Sequence, residues 1–206
     1  MKVTIIGAGN MGRAIGTRMV AGGHELQLVD RKPGDAGELA SELGGGATAA
    51  APGDELTGEV VVLALYYPGV KDAVAEYGER LAGRVVVDIS NPIDFETLEL
   101  ATTTSGAEEI AALVPAGTPV VKAFNTAFAS TVAAGEVAGQ KIDVFVAGDD
   151  EDAKRKIVSL VEGGGLRAID AGPLVRARLL EQAGRFHIAL QEPLGTGFGS
   201  ALKLYP

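Results

Sequence analysis

The sequence predicts an α/β fold: a doubly wound parallel sheet with a small C-terminal extension. Three observations carry that expectation. Apolar, β-branched runs recur at Lys2–Ile6, Gly58–Leu65, Arg84–Asp88, Pro119–Phe124 and Asp143–Ala147, as strands covered on both faces require. Helical patterns alternate with these runs on short connections, which winds helices onto both sides of a parallel sheet. The first run ends in Gly7-Ala-Gly-Asn-Met-Gly12, and a helical pattern through Ala14, Ile15, Met19 and Val20 follows at once.

Taken in order, the first helix closes at Gly22-Gly23, and a second strand, Glu25–Val29, delivers Asp30. Arg31-Lys-Pro-Gly-Asp35 turns into a short helix through Glu38, Leu39 and Leu43, ended by Gly44–Gly46. Tyr66-Tyr-Pro-Gly69 leads into a helix with Val70, Ala73, Val74 and Tyr77 on its apolar face. Arg84–Asp88 runs into Ile89-Ser-Asn-Pro92, and a polar loop from Asp94 to Thr104 follows. Ser105, with Glu108 three residues on, reads as the N-cap of a helix reaching Val114. Asn125 and Thr126 begin the loop after Pro119–Phe124, and Gly148-Asp-Asp-Glu151 starts a helix over Ala153–Val161. Gly163–Gly165 breaks the chain before a strand at Leu166–Asp170. A last helical pattern spans Leu174–Leu190, and Leu202 and Leu204 dock a loop-like tail. No long linker or composition shift marks a second unit. The expectation is one domain over residues 1–206, with 143–206 as an extension and capping helix.

Composition narrows the function. The chain has 206 residues and no Cys, which excludes disulfides and thiolate catalysis and removes the usual zinc clusters. His24 and His187 lie far apart in no metal-ligand spacing. The net charge of −9, with Lys and Arg scattered, argues against a nucleic-acid surface. Neither a signal peptide nor a membrane-length apolar run is present, so the expected location is the cytoplasm, with no membrane partner. No G-x-S-x-G elbow, H-E-x-x-H helix, close carboxylate pair or Ser-His-Asp triad can be assembled, so no catalytic residue is assigned. That suits a reaction whose chemistry a cofactor carries while the protein aligns two partners.

The strand–G-x-G-x-x-G–helix–strand–acid order defines a Rossmann-type dinucleotide site. Gly7 allows the tight turn, Gly9 admits a pyrophosphate to the backbone, and Gly12 lets the helix pack on the strand. The free N–H groups at the helix start, at Asn10 and Met11, hold the phosphates. Ligands in open α/β sheets bind outside the carboxyl ends of the strands. That places Gly7–Gly12 and Asp30–Lys32 at the adenosine half, and Leu65–Pro68, Ile89–Pro92 and Asn125–Thr126 at the nicotinamide end. Asp30 suits the ribose 2′-hydroxyl of NAD, whereas Arg31 and Lys32 suit the 2′-phosphate of NADP. The sequence leaves that choice open. Tyr66 and Tyr67 are equally explained by loop packing, and Asn91-Pro92 by turn formation.

Several strings resemble the NADP oxidoreductases that use the deazaflavin coenzyme F420, over nearly the whole chain. They are Gly7-x-Gly-x-x-Gly12, Asp88-x-x-Asn-Pro92, Val120-Val-Lys-Ala-Phe-Asn-Thr126, Phe145-Val-Ala-Gly-Asp-Asp150 and Ile169-Asp-Ala-Gly-Pro-Leu174, the last continued by Ala177-Arg-Leu-Leu-Glu181. The resemblance implies hydride transfer between a nicotinamide and a deazaflavin ring stacked in a cleft of a homodimeric enzyme. It would place the pyrophosphate on Gly9–Gly12, the 2′-phosphate on Arg31, and the nicotinamide beside Tyr66, Asn91 and Pro92. Asn125 and Thr126 would face the second cofactor, and the Gly195–Gly199 tail would close over it. Two departures from the family pattern, Asp30 for a neutral residue and Tyr66-Tyr67 for Pro-Trp, keep NAD and a flavin acceptor open. Arg178 and Glu181 also have the spacing of an ion pair on one helix face.

Two other readings compete. Gly195-x-Gly-x-Gly-x-x-x-Lys203 resembles the segment before the catalytic Lys of hydroxyacid or imine dehydrogenases, although no long helical substrate domain follows. A non-catalytic dinucleotide sensor is the other.

Overall fold

A computed structural model describes residues 1–205. Its strands are β1 (Lys2–Ile6), β2 (Glu25–Val29), β3 (Thr48–Ala50), β4 (Val60–Leu63), β5 (Val85–Asp88), β6 (Val120–Lys122), β7 (Glu136–Val137), β8 (Gln140–Lys141), β9 (Asp143–Gly148) and β10 (Arg167–Gly172). Its helices are α1 (Asn10–Ala21), α2 (Pro33–Leu43), α3 (Tyr67–Tyr77), α4 (Gly106–Leu113), α5 (Ala129–Ala134), α6 (Glu151–Gly163), α7 (Ala177–Ala189) and α8 (Gln191–Leu194).

Eight strands form one sheet in the order β10-β9-β6-β5-β4-β1-β2-β3. From β3 to β6 all pairings are parallel, in the order of the doubly wound dinucleotide folds. The expected fold class stands. One joint departs from a purely parallel sheet: β9 runs antiparallel to β6, and β10 then pairs parallel to β9. The physical reason lies in the connection. A parallel return needs a long crossover, normally a full helix. Between β6 and β9 the chain forms only the six-residue α5 and the β7–β8 hairpin.

The strands alternate cleanly between two cores. Val3, Ile5, Val60 and Val62 face α1, α2, α5 and α6, whereas Ile6, Val61 and Leu63 face α3 and α4. Every residue of β4 and β5 is buried, which explains the apolar runs Val60–Leu63 and Val85–Val87. Each fully buried Val or Leu contributes roughly 1.5–3 kcal/mol. Ser105 caps α4 as expected, its side chain accepting from the Glu108 N–H. β3, α5 and the β7–β8 hairpin were not expected. Tyr67-Pro68-Gly69, read as loop, is the first turn of α3, where Pro is tolerated because its missing N–H has no helical partner.

Candidate functional site

Strand order reverses between β1 and β4, and a cleft of about 500 Å³ opens at the carboxyl ends of these strands. The loop after β1 forms its floor. Gly7 adopts φ +114°, and a Cβ on it would lie 2.4 Å from the Ala64 carbonyl oxygen. A Cβ on Gly12 would lie 1.9 Å from the Gly7 carbonyl oxygen, so α1 can start this close to β1 only with glycine there. A Cβ on Gly9 would meet nothing within 4 Å. Gly9 is the N-cap of α1, and no side chain caps that helix. Its first N–H groups are therefore available to an anion.

Of the residues expected at the site, Gly7, Gly9, Asn10, Met11, Asp30, Leu65, Tyr66, Asn91 and Asn125 line this cleft together. Arg31 lines a smaller adjoining hollow with Asp30, Asp72 and Glu76. Gly12 is buried inside α1, and Lys32 is exposed in the turn before α2. Pro92 and Thr126 are buried behind the cleft wall. The Asp30 carboxylate bridges two loops, accepting from the Ala8 N–H at 2.8 Å and the Lys32 N–H at 2.9 Å. Two aromatic residues missed in the sequence also line the cleft, beside Ala64 and Ala127. Phe95, in the polar loop, meets Tyr66 edge to face with ring centroids 5.4 Å apart. Both rings are open to solvent, Tyr66 at 76% and Phe95 at 56% exposure, and form a lip at the cleft. Phe124 lines the wall with φ +62°, a left-handed conformation costing a bulky residue roughly 1–2 kcal/mol. Such strain concentrates at functional sites.

Tyr67 points away. It is buried, and its hydroxyl donates to Glu109, which also accepts from Lys71 at 2.6 Å and from Thr102. The Lys71 ammonium, with help from Thr102 and Tyr67, holds the Glu109 carboxyl down at about 2. Burial, then the bond to Glu109, pushes the Tyr67 phenol up to about 12. This cluster ties the loop that carries Phe95 to α3 and α4.

Behind the cleft, two polar layers join the ends of β5 and β6 to α7. The outer layer is neutral. Asn91 Nδ2 donates to the Asn125 carbonyl at 2.8 Å, and Asn125 Nδ2 donates to Asn91 Oδ1 and to the Leu180 carbonyl, each at 2.9 Å. Asn125 Oδ1 and Ser90 Oγ are buried with no partner among the described residues. Rotating the Asn125 amide would aim its oxygen at two other oxygens, which fixes Oδ1 as the free acceptor. The inner layer is charged. Lys122 Nζ donates to Asp88 at 2.8 Å, Glu181 at 2.7 Å and the Ser90 carbonyl at 2.5 Å. Burial pushes the Glu181 carboxyl up, against the downward pull of the Lys122 ammonium.

Three sequence expectations are corrected here. Arg178 and Glu181 do not pair: Arg178 forks onto Glu108, and Glu181 turns inward to Lys122 and the first N–H groups of α4. Two carboxylates, Asp88 and Glu181, do come close, around Lys122. Lys203, set against a catalytic lysine, bonds Asp143 at 2.6 Å and the Lys141 carbonyl, and so straps the tail to β9. His187 joins the same end of the chain. Its Nδ1 donates to the Thr126 carbonyl at 2.9 Å, so Nε2 accepts from Ser200 when the ring is neutral, and burial lowers its pKa. Among the described residues no group of three or more His, Cys, Asp or Glu could hold a metal ion.

The strand order, the glycine turn and the cleft at the reversal point define a Rossmann-type α/β fold. A family model for coenzyme F420-dependent NADP oxidoreductases matches residues 2–92. A solved structure from Arthrobacter sp. FB24, assigned as an F420-dependent NADP-reductase, is 31% identical, superposes with a TM-score of 0.87 and covers 100% of both chains. The F420-dependent NADP reductase of Methanocaldococcus jannaschii is 30% identical over 132 residues, 60% of this chain and 58% of that protein. The rat metalloreductase STEAP3 is 31% identical over 180 residues, 87% of this chain and 36% of that protein. The chain thus spans less than two thirds of each of these two curated relatives. It belongs to the F420-dependent NADP oxidoreductase family.

Proposed function

We propose that this chain is an oxidoreductase that transfers a hydride between NADP(H) and the deazaflavin coenzyme F420. The observation that carries the reading is the one cleft in which a glycine cradle, the Asn91–Asn125 amide pair and an exposed aromatic lip meet. Each part fits one portion of the ligands. The uncapped start of α1, at Gly9, Asn10, Met11 and Gly12, takes the pyrophosphate. Asp30, Arg31 and Lys32 surround the adenosine ribose, with Arg31 the cation for a 2′-phosphate. Leu65, Tyr66 and Asn91 border the nicotinamide, with Pro92 packed behind them. Asn125 and Thr126 support the side of the cleft that faces the second cofactor.

When bound, the nicotinamide and the deazaflavin supply the hydride donor and acceptor carbons. The chain binds, orients and shields them. Tyr66 and Phe95 offer flat apolar surface to a planar ring. The same lip suits a flavin, which is the second reading. The single-domain organisation over residues 1–206 belongs to this proposal, as does a homodimer. α7 and the segments around it expose Val175, Leu179, Phe186 and Leu194, an apolar face that a second copy would cover.

The test mixes NADPH or NADH with oxidised F420 or a flavin and follows loss of the acceptor's visible absorption. Bleaching of F420 with NADPH is expected. Flavin reduction alone moves the acceptor, turnover only with NADH reverses the nucleotide, and nucleotide binding without any turnover revives the sensor reading.

A further inference from the structure

We infer that Lys122 is a positioning residue: through the Ser90 carbonyl it sets the cleft-wall residues Ser90, Asn91 and Asn125 against the ring end of a bound dinucleotide. This rests on the dinucleotide reading above and adds a role for a residue that stands behind the cleft lining.

The argument begins with what a buried lysine requires. Lys122 and Asp88 are 0% exposed and Glu181 is 1% exposed. Burying three charges is costly, and a buried ion cluster is often no more stable than an apolar replacement. An ammonium has three donors and no acceptor. Two of those donors go to carboxylates. The third goes to a main-chain oxygen, that of Ser90, a residue of the cleft wall. Asp88 holds the other side of the same residue, its Oδ1 accepting from the Ser90 N–H at 2.9 Å. The peptide groups before and after Ser90 are therefore both fixed from the charged layer.

The two layers are built from the same three segments. The β5 end gives Asp88 to the inner layer and Asn91 to the outer. The β6 end gives Lys122 and Asn125, with the same spacing. α7 gives Glu181 and the neighbouring Leu180 carbonyl. Moving Lys122 away from Ser90 releases the loop that carries Asn91, and Asn91 is the partner that orients the Asn125 amide. Ser90, Asn91 and Asn125 then lose their fixed places. The glycine cradle and the Asp30–Lys32 turn share no bond with this cluster, so the adenosine half is left as it was.

That separation supplies the test. The full-length protein and its Lys122→Met variant are titrated with NADPH and with 2′-phospho-ADP-ribose, which has the same adenosine and pyrophosphate but no nicotinamide. Calorimetry gives the Kd values, and the emission of bound NADPH reports the surroundings of its ring. Because Lys122→Met leaves two carboxylates without a cation, Lys122→Met combined with Asp88→Asn is measured beside it. The double variant removes one charge of each sign and keeps an acceptor for the Ser90 N–H. The expected result is an NADPH Kd raised about tenfold, an unchanged Kd for the fragment, and bound NADPH emission shifted toward that of the free form. Equal loss of both ligands, or unchanged NADPH affinity and emission in a folded variant, overturns the inference. Wild-type protein that binds neither ligand overturns the dinucleotide reading itself, and this inference with it.

Discussion

One substitution made at two helical glycines should change stability in opposite directions. Gly37 lies in the interior of α2, and a Cβ added there meets nothing within 4 Å. Gly37→Ala should gain the helix-propensity difference of about 1 kcal/mol. Gly184 lies in the interior of α7 and gains the same propensity, but its Cβ would sit 2.8 Å from the Asn125 carbonyl oxygen and 2.8 Å from Asn91 Oδ1. One of these is main chain and the other belongs to a short side chain held by two hydrogen bonds. Neither can yield without disturbing the amide layer. Overpacking costs about 1–3 kcal/mol, and each amide hydrogen bond lost costs about 1 kcal/mol more. With one hydrogen bond lost, the net effect of Gly184→Ala is a loss of about 1–3 kcal/mol. For a chain of this length each kcal/mol moves Tm by about 2–4 °C. Thermal unfolding followed by circular dichroism should place Gly37→Ala above wild type and Gly184→Ala below it. Stabilisation of both would show that α7 does not press on Asn91 and Asn125, and the two-layer description would fall.

Three further predictions concern separate parts of the molecule. Asp30→Ser removes the carboxylate beside the expected ribose, and the ratio of NADPH to NADH affinity should rise by about tenfold; an unchanged ratio would mean that Asp30 does not set the preference. Glu109 has a folded pKa depressed to about 2, so the stability it contributes is complete above the ordinary carboxylate value of 4.5 and is lost as the pH falls from there toward 2. Urea unfolding should show a gap between wild type and Glu109→Gln at pH 7 that narrows by pH 3, and a constant gap would refute the assignment. Charge placed on the exposed apolar face of α7, by Leu179→Glu with Phe186→Glu, should convert a dimer to monomer in sedimentation without lowering Tm by more than about 2 °C.

Local signals explain what the sequence revealed. Continuous apolar strands, the glycine turn and the Ser105 cap each depend on near neighbours, and the structure has them where the pattern predicts. β3 escaped because Thr48–Ala50 is short and largely solvent-facing, with no apolar run to mark it. α5 and the β7–β8 hairpin escaped because Ala129–Lys141 is rich in small and polar residues that support several conformations. The antiparallel joint depends on what that segment fails to build. Phe95 reached the cleft lip because its loop is tethered by contacts among Thr102, Glu109, Tyr67 and Lys71, which no short window contains.

The inner layer shows where reading segments singly stops working. Asn91-Pro92 alone is a turn former, Lys122 is a lone charge in an apolar strand, and Glu181 has the spacing of a surface ion pair. The sequence did hold one clue: a lysine inside Val120-Val-Lys-Ala-Phe124 cannot be both solvated and part of a strand covered on two faces. A buried ammonium must find acceptors, and the nearest in sequence are too few. Its partners come from 34 residues before it and 59 residues after it. Spacing cannot supply those separations, because they are set by which strands are neighbours in the sheet and by where α7 docks. Once the order β4-β5-β6 is known, the end of β5 lies beside Lys122 and carries Asp88. Three of the strings that resemble the family, those ending at Pro92, Thr126 and Glu181, are therefore one physical unit, and its charged layer stands behind the neutral layer that meets the cleft.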